Sequence, residues 1–432
     1  METLILQGFA DESVRTRQAW RCMLYPMPRW RSVLHACVIL AAGVPARAAT
    51  PAFSNSVIAG ILQTNLITET SGLAASLRNP GVLWLHNDSG DSARLFAIDA
   101  TGRTLGIYTL TGASAVDWED LALAADPVDG TNYLYVGDIG DNSATRSSIQ
   151  VYRVPEPVVP TNQAGLVTNL AGVTAFTLNY PDGAHNAETL LADPWTGDLF
   201  IITKNDNPAR IYRAPYPMTG AVNTLQFSNT LAFAIPVGGS VGASGRQILI
   251  KRYASVSYYE RRPGQTIPDA LTNTFATLPY TLEPQGETVA WEARERGYFT
   301  LSENARQTNY YYASADSDGD GLVDSEEAGL GTDLSDADSD DDLQTDAEEI
   351  VAGTQPTNTT SFFFTAIDFT GPSLQWLAHT NRIYDIERAD LATAMAFVPH
   401  ATGITFATEQ VAVTNLPANE TSRAYRIRVR MQ

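Results

Sequence analysis

The chain has almost no cysteine. Of its 432 residues only Cys22 and Cys37 are cysteines, and both lie among the first fifty residues. Disulfide and thiolate chemistry are therefore excluded from the rest of the chain. That part of the chain must therefore be stabilised by core burial or by metal ions.

Long apolar runs and basic residues are also scarce. After the first fifty residues, no stretch approaches the roughly twenty apolar residues needed to span a bilayer. The 28 lysines and arginines stand against 48 acids, giving a net charge of −20. This surplus of negative charge favours cations as ligands and argues against nucleic acid as a partner. With 44% apolar residues, the chain can form one large domain and one or two small ones.

The N-terminal segment predicts export. Residues 1 to 26 carry no structural pattern, so Met23 or Met27 is the working initiator. From Met27 the sequence MPRWRSVLHACVILAAGVPARAAT combines a basic start, a short apolar stretch and a small-x-small cleavage site at 46–48. We interpret residues 1–48 as a leader with a signal peptide. We expect a periplasmic, cell-surface or extracellular protein with no transmembrane segment in its mature chain.

A glutamate that opens an apolar strand recurs down the chain. The four copies are ETSGLAAS at Glu69, WEDLALAAD at Glu119, AETLLADP at Glu188 and GETVAWEA at Glu287. A fifth copy, GSVGASG, has Ser240 where the acid would be. Each copy is followed by a turn and a second apolar strand. Copies roughly fifty residues apart, each with several short strands, are typical of β-propeller blades.

We therefore predict an all-β fold with a five-bladed β-propeller over residues 55–313. Six blades are the alternative, because the stretch between the second and third glutamates is long. The last blade lacks a strand, which residues 56–67 would supply from the N-terminal side. This closure would remove an exposed sheet edge.

Polar residues at the ends of the second strands predict a site at one mouth of the channel. In an antiparallel pair the end of the second strand lies beside the start of the first, so these residues should meet the leading glutamates. Confined carboxylates repel one another unless a cation lies among them, and hard oxygen ligands suit Ca²⁺ or Mg²⁺. The alternative is that the glutamates cap strands or pair with arginines. The predicted row of strand ends is Asn87, Asp138, Lys204, Arg252 and Glu303, with His86, Gly137, Thr203, Lys251 and Ser302 one residue earlier.

Two histidines, His86 and His185, are the only ones in the predicted propeller, and each precedes an asparagine. Histidine is the side chain whose ordinary pKa suits acid–base catalysis near neutral pH. His86 is therefore a candidate catalytic residue. The alternative is a purely hydrogen-bonding role at a strand end.

These stretches, together with LWLHNDSGD, YVGDIGDN, IITK, ILIKRY and YFTLSEN, resemble a family of exported bacterial propellers described as phytase-like or esterase-like. The resemblance runs from about Glu69 to Asn304. It implies Ca²⁺ in the channel and a small anionic, phosphorylated ligand held by Ca²⁺ and basic side chains. Ser240 departs from the pattern, since an aspartate commonly stands at that place. The resemblance implies metal ligands at Glu69, Glu119, Asp138, Glu188 and Glu287, and anion contacts at Lys204 and Arg252.

An acidic segment over residues 314–358 predicts calcium binding of a second kind. Fifteen acids and no lysine or arginine lie between Asp316 and Glu349. DSDGDGLVDSEE fits the twelve-residue calcium loop, in which the seventh residue offers its carbonyl and the twelfth chelates with two oxygens. The tandem loops resemble thrombospondin type 3 repeats. The alternative is a solvated acidic spacer. The predicted ligands of the first loop are Asp316, Asp318, Asp320, Leu322, Asp324 and Glu327.

The second copy, DSDDDLQTDAEE, has Leu343 where the turning glycine belongs, so we expect weaker or distorted binding. Without metal the segment should be loose, because its carboxylates repel one another. With Ca²⁺ it should become a stiffer connector. The predicted ligands of the second loop are Asp338, Asp340, Asp342, Asp346 and Glu349.

Short strand patterns return over residues 361–432 and predict a small C-terminal β-sandwich module. In its last strand Arg426, Arg428 and Arg430 alternate with apolar residues. We interpret the arginine row as a solvated face.

Two functions follow from these patterns. The first is a Ca²⁺-dependent phosphoester or ester hydrolase with its site at the channel mouth and with His86, Lys204 and Arg252 as catalytic residues. The second is a non-catalytic binding or adhesion propeller on a calcium-stiffened stalk.

Overall fold

The computed structural model describes residues 2–6, 51–160, 162–218, 222–368, 373–390, 397–416 and 423–431. The predicted signal segment and both cysteines lie outside these residues. Strands account for 45% of the protein and helices for 5%, so the all-β class is confirmed. The chain divides into two compact units, Thr50–Ala315 and a second unit that contains Asp316–Gln432 together with the first residues.

The first unit consists of five sheets in which consecutive strands pair antiparallel, each following the other along the chain. We number them 1 to 5. Sheets 1 and 2 each carry an extra outer strand that pairs in parallel. The strands of sheet 1 are Thr70–Ala75, Val82–Asn87, Arg94–Asp99, Thr104–Leu110 and the parallel Leu166–Leu170. The strands of sheet 2 are Trp118–Ala125, Asn132–Asp138, Ile149–Pro155, Thr174–Asn179 and the parallel Asn223–Thr224.

Sheets 3 to 5 have four strands each. Sheet 3 comprises Ala187–Ala192, Leu199–Thr203, Arg210–Ala214 and Gln226–Thr230. Sheet 4 comprises Gly238–Val241, Gln247–Arg252, Ser255–Glu260 and Ala276–Leu278, with a helical turn at Ile267–Ala270. Sheet 5 comprises Gly286–Trp291, Gly297–Ser302, Thr308–Ala313 and Val57–Ile61.

The outer strand of sheet 5 comes from the N-terminal side of the unit, as predicted. Val57–Ile61 pairs antiparallel with Thr308–Ala313, with Val57 opposite Tyr311. Ala52 and Ser54 add backbone hydrogen bonds to Ala315 and Ala313. The pairing covers an edge that would otherwise expose unpaired amide groups.

The first strands of the five sheets contact one another in sequence order, and the first strand of sheet 5 also contacts that of sheet 1. A narrow cavity of about 30 Å³, room for a water or two, is lined by residues from all five of these strands. Each sheet buries an apolar layer against the next, including sheet 5 against sheet 1. Trp84 and Trp118 lie in the layer between sheets 1 and 2.

The second unit contains two loop-helix segments followed by two antiparallel sheets. Its helices are Asp324–Leu330 and Asp346–Ala352. Both sheets share one core that includes Trp376, Tyr384 and Tyr425. The strands of the first sheet are Glu2–Leu6, Arg423–Met431, Arg382–Asp390 and Val398–Ile404, and those of the second are Thr365–Asp368, Ser373–Ala378 and Gln410–Asn415.

One sequence expectation is corrected in this unit. Residues 1 to 26 were expected to carry no structural pattern, yet Glu2–Leu6 pairs antiparallel with Arg423–Met431. In the arginine row, Arg426 and Arg428 pair with Glu387 on the neighbouring strand. Among the described residues, no helix is long and apolar enough to cross a membrane.

Candidate metal centres

A β-bulge at the start of the first strand presents a glutamate in three of the five sheets. In sheet 2, Trp118 pairs with Asp138 and Asp120 pairs with Gly137, which leaves Glu119 as the extra residue. The same register shift isolates Glu188 in sheet 3 and Glu287 in sheet 5. A bulge turns the extra side chain away from the regular alternation. The three glutamates are only 2%, 4% and 4% exposed.

In sheet 1 the bulged residue is Ser71, not Glu69. Thr70 pairs with Asn87 and Gly72 with His86, so the shift falls two residues after the glutamate. The predicted equivalence of Glu69 with the other three glutamates is therefore wrong. The sequences ETSG, AETL and GETV share the pair Glu-Thr, which suggested that their glutamates are equivalent. The position of the bulge instead aligns Ser71 with the other glutamates. Glu69 is exposed, while the Ser71 hydroxyl donates to the backbone oxygen of Glu119 at 2.5 Å and to its Oε2 at 3.3 Å.

Sheet 4 has no bulge at this place. Gly238 pairs with Lys251 and Gly239 with Ile250 without a shift, so the residue that would match the glutamates is missing. Ser240 does not stand in the acid's position, contrary to expectation. Its hydroxyl accepts a hydrogen bond from the Trp291 amide at 3.1 Å, further along the strand.

The second strands also align differently from the prediction, which mixed two rows. The pairings place Asn87, Asp138, Thr203, Lys251 and Ser302 in one row. The residues that directly follow this row are therefore equivalent to one another, and Asp88 is the equivalent of Lys204 and Glu303. That second row is Asp88, Ile139, Lys204, Arg252 and Glu303.

Carboxylates from four sheets gather at these strand ends. The carboxylate oxygens of Asp88, Asp117 and Glu119 lie within 4.8 Å of one another. The negative charges of Glu188 and Glu287 also act on Glu119. Glu303 interacts electrostatically with Glu287 and Asp88. We call this set the mouth cluster: Asp88, Asp117, Glu119, Glu188, Glu287 and Glu303.

Burial and mutual repulsion raise the pKa values of these acids. Burial, followed by the charges of Asp117 and Glu287, raises the pKa of Asp88 to about 6. Burial, reinforced by Glu287, raises the pKa of Glu303 to about 9. Burial and then Glu188 raise the pKa of Glu119 well above its usual range. The six carboxylates therefore outnumber the positive charges beside them, and a bound cation would relieve this imbalance.

A glycine makes room for two of the carboxylates. A Cβ placed on Gly140 would lie 2.3 Å from Glu119 Oε1 and 2.5 Å from Asp117 Oδ2. The Gly140 amide also donates to the Asp117 carbonyl at 3.1 Å. A close approach of backbone to charged oxygens is a situation in which only glycine fits.

Asp138 holds the loop that carries Asp117 of the cluster. Its carboxylate accepts from the backbone amides of Val116 and Asp117, both at 3.2 Å, and pairs with Arg146 at 2.8 Å. Asn87 has the same role in sheet 1, since its side-chain oxygen accepts hydrogen bonds from the amides of Thr68 and Glu69. Asp138, predicted as a ligand, thus has both oxygens engaged, and it fixes the loop that carries Asp117.

Lys204 is the cation nearest the cluster. Its ammonium pairs with Glu188 Oε1 and donates to the Tyr253 hydroxyl at 2.9 Å. Burial acts to lower the Lys204 pKa, but Glu188 outweighs it and the pKa is raised. Burial raises the pKa of Glu188 to about 7 despite this partner. The second oxygen of Glu188 is buried and has no hydrogen-bond partner among the described residues.

The structure does not bring His86 or Arg252 to the cluster. His86 is fully buried, its Nδ1 lies 2.9 Å from the Asn87 carbonyl, and its ring packs edge-on against Trp118. Burial lowers its pKa. The Arg252 guanidinium lies over the Phe233 ring at 4.3 Å. The strand register keeps His86 away from the cluster, because His86 lies one residue before the strand end and faces the packing layer between sheets.

Lys251 had no predicted role, although the prediction placed it one residue before the row of strand ends. It is fully buried, and its ammonium donates to the Gly286 and Arg252 carbonyls at 2.7 Å each. It also lies over the Tyr280 ring at 4.0 Å. Burial lowers its pKa to about 7. Lys251 therefore joins sheets 4 and 5 immediately before Glu287.

The first acidic loop brings its predicted ligands together. Carboxylate oxygens of Asp316, Asp318 and Asp320 lie within 4.8 Å of one another. Glu327, at the twelfth position, is fully buried, and neither of its carboxylate oxygens has a hydrogen-bond partner among the residues described. Burial, then the neighbouring aspartates, raise its pKa to about 7. Asp324 is engaged differently, since its oxygens accept from the Ser317 amide at 2.9 Å and hydroxyl at 3.0 Å.

Leu322, the predicted carbonyl ligand, is buried beside this loop. Gly321, directly before it, has a φ of 104°. The glycine therefore makes the turn that the loop pattern requires.

The second loop repeats the backbone arrangement of the first. Asp338, Asp340 and Asp342 form an equivalent cluster. Glu349 is fully buried, and neither of its carboxylate oxygens has a hydrogen-bond partner within 3.5 Å among the described residues. Leu343 takes the left-handed backbone at φ 79°, with its side chain 93% exposed. Its amide donates to the Asp338 carboxylate at 2.8 Å, and in the first loop the Gly321 amide donates to the Asp316 carboxylate at 3.2 Å. A leucine can hold this turn at a cost of about 1–2 kcal/mol.

The fourth acid of the second loop repeats the structural role seen in the first. Asp346 accepts from the Ser339 amide at 3.0 Å and hydroxyl at 2.6 Å, matching the pair of Asp324 with Ser317. Both aspartates therefore orient their loops rather than lying unengaged among the ligands. The repetition also shows that the two loops share one backbone plan.

Comparison with known proteins gives little. No protein-family model matches the chain, and no curated protein matches it. Among solved structures, hydrazine synthase of Kuenenia stuttgartiensis matches with a TM-score of 0.30 and 13% identity. The match covers 55% of this chain and 56% of that one, so the chain spans about half the length of that structure. At this level the likeness carries no argument about fold or activity.

Proposed function

We propose that this chain is an exported, calcium-binding protein whose first unit is a five-bladed β-propeller with a hydrolytic centre at one mouth. The bond attacked is an ester or phosphoester. The observation that carries the proposal is the mouth cluster, in which buried carboxylates from sheets 1, 2, 3 and 5 converge beside a single lysine. Independent structural charges would not need to meet at one place.

Several contacts support the propeller. The five first strands contact one another in order, sheet 5 returns to sheet 1, and an N-terminal strand completes sheet 5. Asp120, fully enclosed beside the cluster, accepts from the amides of Leu190 and Gly239 at 2.8 and 3.2 Å. One side chain thus joins the first strands of sheets 2, 3 and 4, as expected for strands gathered around a common axis.

The donor set fits a hard divalent cation. Asp88, Asp117 and Glu119 would hold it, with Glu188 and Glu287 close by, and all the donors are carboxylate oxygens. Ca²⁺ tolerates irregular oxygen coordination better than Mg²⁺, and the ligands here come from loops and bulges of different sheets. Asp138 and Gly140 take supporting parts in this set, since one holds the Asp117 loop and the other leaves space for the carboxylates.

The residues of the mouth suggest how they would act in hydrolysis. A bound Ca²⁺ would supply Lewis-acid stabilisation of the developing negative charge and a more acidic bound water. Lys204, held by Glu188 and Tyr253, would add positive charge next to the reacting oxygen. The unpartnered oxygen of Glu188 lies beside this lysine and would accept a proton. We assign no catalytic part to His86, which is buried in a packing layer, or to Arg252, whose guanidinium lies over the Phe233 ring.

A non-catalytic binding propeller is the second candidate. It is favoured by one observation, that Lys204 is already neutralised by Glu188 and the other two predicted catalytic residues lie away from the cluster. In that case the cation would only hold an anionic ligand or stiffen the mouth.

The two acidic loops are proposed as separate Ca²⁺ sites of the second unit. Glu327 and Glu349 are buried with unpartnered oxygens in equivalent positions, which an acidic spacer in water would not require. The expected affinities are about 10⁻⁴ to 10⁻³ M, as in extracellular modules. Export itself is proposed from the signal-like segment at residues 27–48.

Metal content and turnover test the proposal together. Chelated protein would be titrated with Ca²⁺ by calorimetry, then assayed for phosphate release from phosphomonoesters and for hydrolysis of simple esters and lactones. Asp117→Asn should remove one binding event and all turnover, whereas the exposed control Asp129→Asn should change neither. Calcium binding at the mouth without any turnover would favour the binding propeller. If the titration shows no Ca²⁺ site at the mouth, both the hydrolase and the binding-propeller hypotheses are contradicted.

A further inference from the structure

The second acidic loop is built into the core of the C-terminal sheets. Its helix, Asp346–Ala352, ends on Ala352, which is fully buried in the same apolar core as Trp376, Tyr384 and Ile427. The first loop has no residue in that core. The two loops therefore share a backbone plan but differ in what they are attached to.

A reciprocal pair of hydrogen bonds fastens the loop itself. The Gln344 side chain donates to the Phe363 carbonyl at 3.0 Å and accepts from the Phe363 amide at 3.0 Å. Phe363 is 3% exposed and stacks on Tyr384 with ring centroids 6.4 Å apart. Gln344 directly follows Leu343, so the position of the ligand loop and the position of a core aromatic depend on each other.

The far end of the helix is fastened as well. The Arg382 guanidinium donates to the Ile350 carbonyl at 2.8 Å and to the Val351 carbonyl. These are carbonyls of the last helical turn, which otherwise lack intrahelical partners. Arg382 opens the strand Arg382–Asp390, which pairs along its length with the last strand of the chain. The helix is thus held between the loop and the central strand pair of the module.

Glu349 lies on this same helix, one residue before the carbonyls that Arg382 caps. It is fully buried, and its carboxylate has no hydrogen-bond partner within 3.5 Å in the part of the chain that the structure describes. A buried carboxylate without a partner opposes folding unless a cation compensates it. The aspartates at 338, 340 and 342 complete the only oxygen set near it that could hold such a cation among the described residues.

Resting on the calcium sites proposed above, we infer that the second loop is a calcium clasp for the C-terminal module. Ca²⁺ at Asp338, Asp340, Asp342 and Glu349 holds the helix and Phe363 in the core, so occupation of that loop slows the opening of the two sheets. The first loop contributes less, because its contact with the helix is the hydrogen bond from the Ala347 amide to Asp320 at 2.8 Å.

Hydrogen exchange of the full chain measures this directly. Peptides covering Ser373–Ala378 and Arg382–Asp390 would be followed with 2 mM free Ca²⁺ and with EDTA. A ligand that binds only the folded form slows opening by a factor of one plus its concentration over Kd. For Kd values of 10⁻⁴ to 10⁻³ M this gives about 3- to 20-fold slower exchange with Ca²⁺. Peptides from the first unit away from the mouth serve as the internal reference.

Two matched variants locate the effect. Glu349→Gln should exchange in Ca²⁺ as fast as the unsubstituted chain does in EDTA, while Glu327→Gln should keep most of the protection. In EDTA Glu349→Gln should be no less protected than the unsubstituted chain, since it removes an uncompensated charge. This comparison separates loss of the ion from misfolding.

The outcomes are distinct. Equal exchange of the module with Ca²⁺ and EDTA, while calorimetry still counts both loop ions, would overturn the clasp and leave the proposed calcium sites intact. Equal effects of the two variants would overturn its assignment to the second loop. If calorimetry finds no loop ions at all, the calcium sites themselves fail and the clasp fails with them.

Discussion

At the scale of single residues, the mouth cluster depends on a missing side chain. A methyl group on Gly140 would occupy space now filled by Glu119 and Asp117 oxygens at 2.3–2.5 Å. Gly140→Ala should therefore weaken Ca²⁺ binding at the mouth at least tenfold while leaving the loop sites unchanged. Calorimetric titration of chelated protein would show the loss of one class of sites. Gly329→Ala, where a Cβ meets open space, is the control. An unchanged titration would show that Ca²⁺ is not held by these two carboxylates.

The acids of the cluster also predict how stability depends on pH. The folded-state pKa values of Asp88 and Glu188, about 6 and about 7, exceed the ordinary values near 4. The folded form therefore keeps protons that the unfolded chain has released. The stabilisation is complete below pH 4 and is lost as pH rises through 6 and 7. Lys251, whose pKa is lowered to about 7, acts in the opposite sense above that pH.

In EDTA the unfolding temperature of the first unit should therefore fall between pH 5 and pH 7.5. Added Ca²⁺ should restore it most at the upper end, because the cation competes with protons for the same oxygens. Thermal unfolding followed at several pH values in both media measures this. Asp88→Asn should flatten the fall in EDTA. A stability in EDTA that rises over this range would contradict the environment assigned to these carboxylates.

At the scale of strands and loops, Asp120 is the main polar link between sheets. It lies beside the bulge in sheet 2 and accepts from the amides of Leu121, Leu190 and Gly239. Asp120→Ala would leave three buried amides without an acceptor, each costing about 1–3 kcal/mol. We expect a loss of about 3–5 kcal/mol in the free energy of unfolding of the first unit, measured by urea denaturation. Asp129→Ala, on an exposed turn, should cost less than about 0.5 kcal/mol.

Hydrophobic alternation was enough to predict most strands but not their registers. In sheet 2 the runs SIQVYRVPEP and VTAFTLNYP predict the outer strands Ile149–Pro155 and Thr174–Asn179, and the closing strand pairs as predicted. In sheet 3 the apolar run TLAFAIP predicts an outer strand at residues 230–236, but the strand is Gln226–Thr230. Bulges add one residue without changing composition, so Glu69 was aligned with the wrong partners.

The same limit explains what was missed at the site. Asp88 and Asp117 lie outside the repeated apolar pattern, on the segments beside strand ends, where the chain carries many acids with no catalytic role. Their significance rests on distances between different sheets, which periodicity does not encode. Asp117 did carry one signal, since VDWED places an acid two residues before the bulged Glu119. The grouping of the acids in the two acidic loops was predicted more fully, because each set lies within twelve consecutive residues.

At the scale of the molecule, the first unit depends on its N-terminal strand. Val57–Ile61 pairs with Thr308–Ala313, and the adjoining Leu62 and Ile67 are fully buried in the layer between sheets 5 and 1. Removing the strand would expose one edge of sheet 5 and separate the two ends of the unit's chain. Because the strand side chains themselves are largely exposed, for example Ile58 at 65%, its contribution is backbone pairing more than burial.

Proline tests that pairing without removing apolar surface. Ile58→Pro, opposite Tyr310, takes away one backbone donor in the pair and restricts its backbone, whereas Ile58→Thr keeps both features of a strand residue. The proline variant should lower the unfolding temperature of the first unit by several degrees and speed hydrogen exchange in Thr308–Ala313. It should also weaken Ca²⁺ binding at the mouth, because Glu287 and Glu303 are carried by the same sheet. Unchanged exchange in that strand would mean that the unit is held closed by its apolar layers alone.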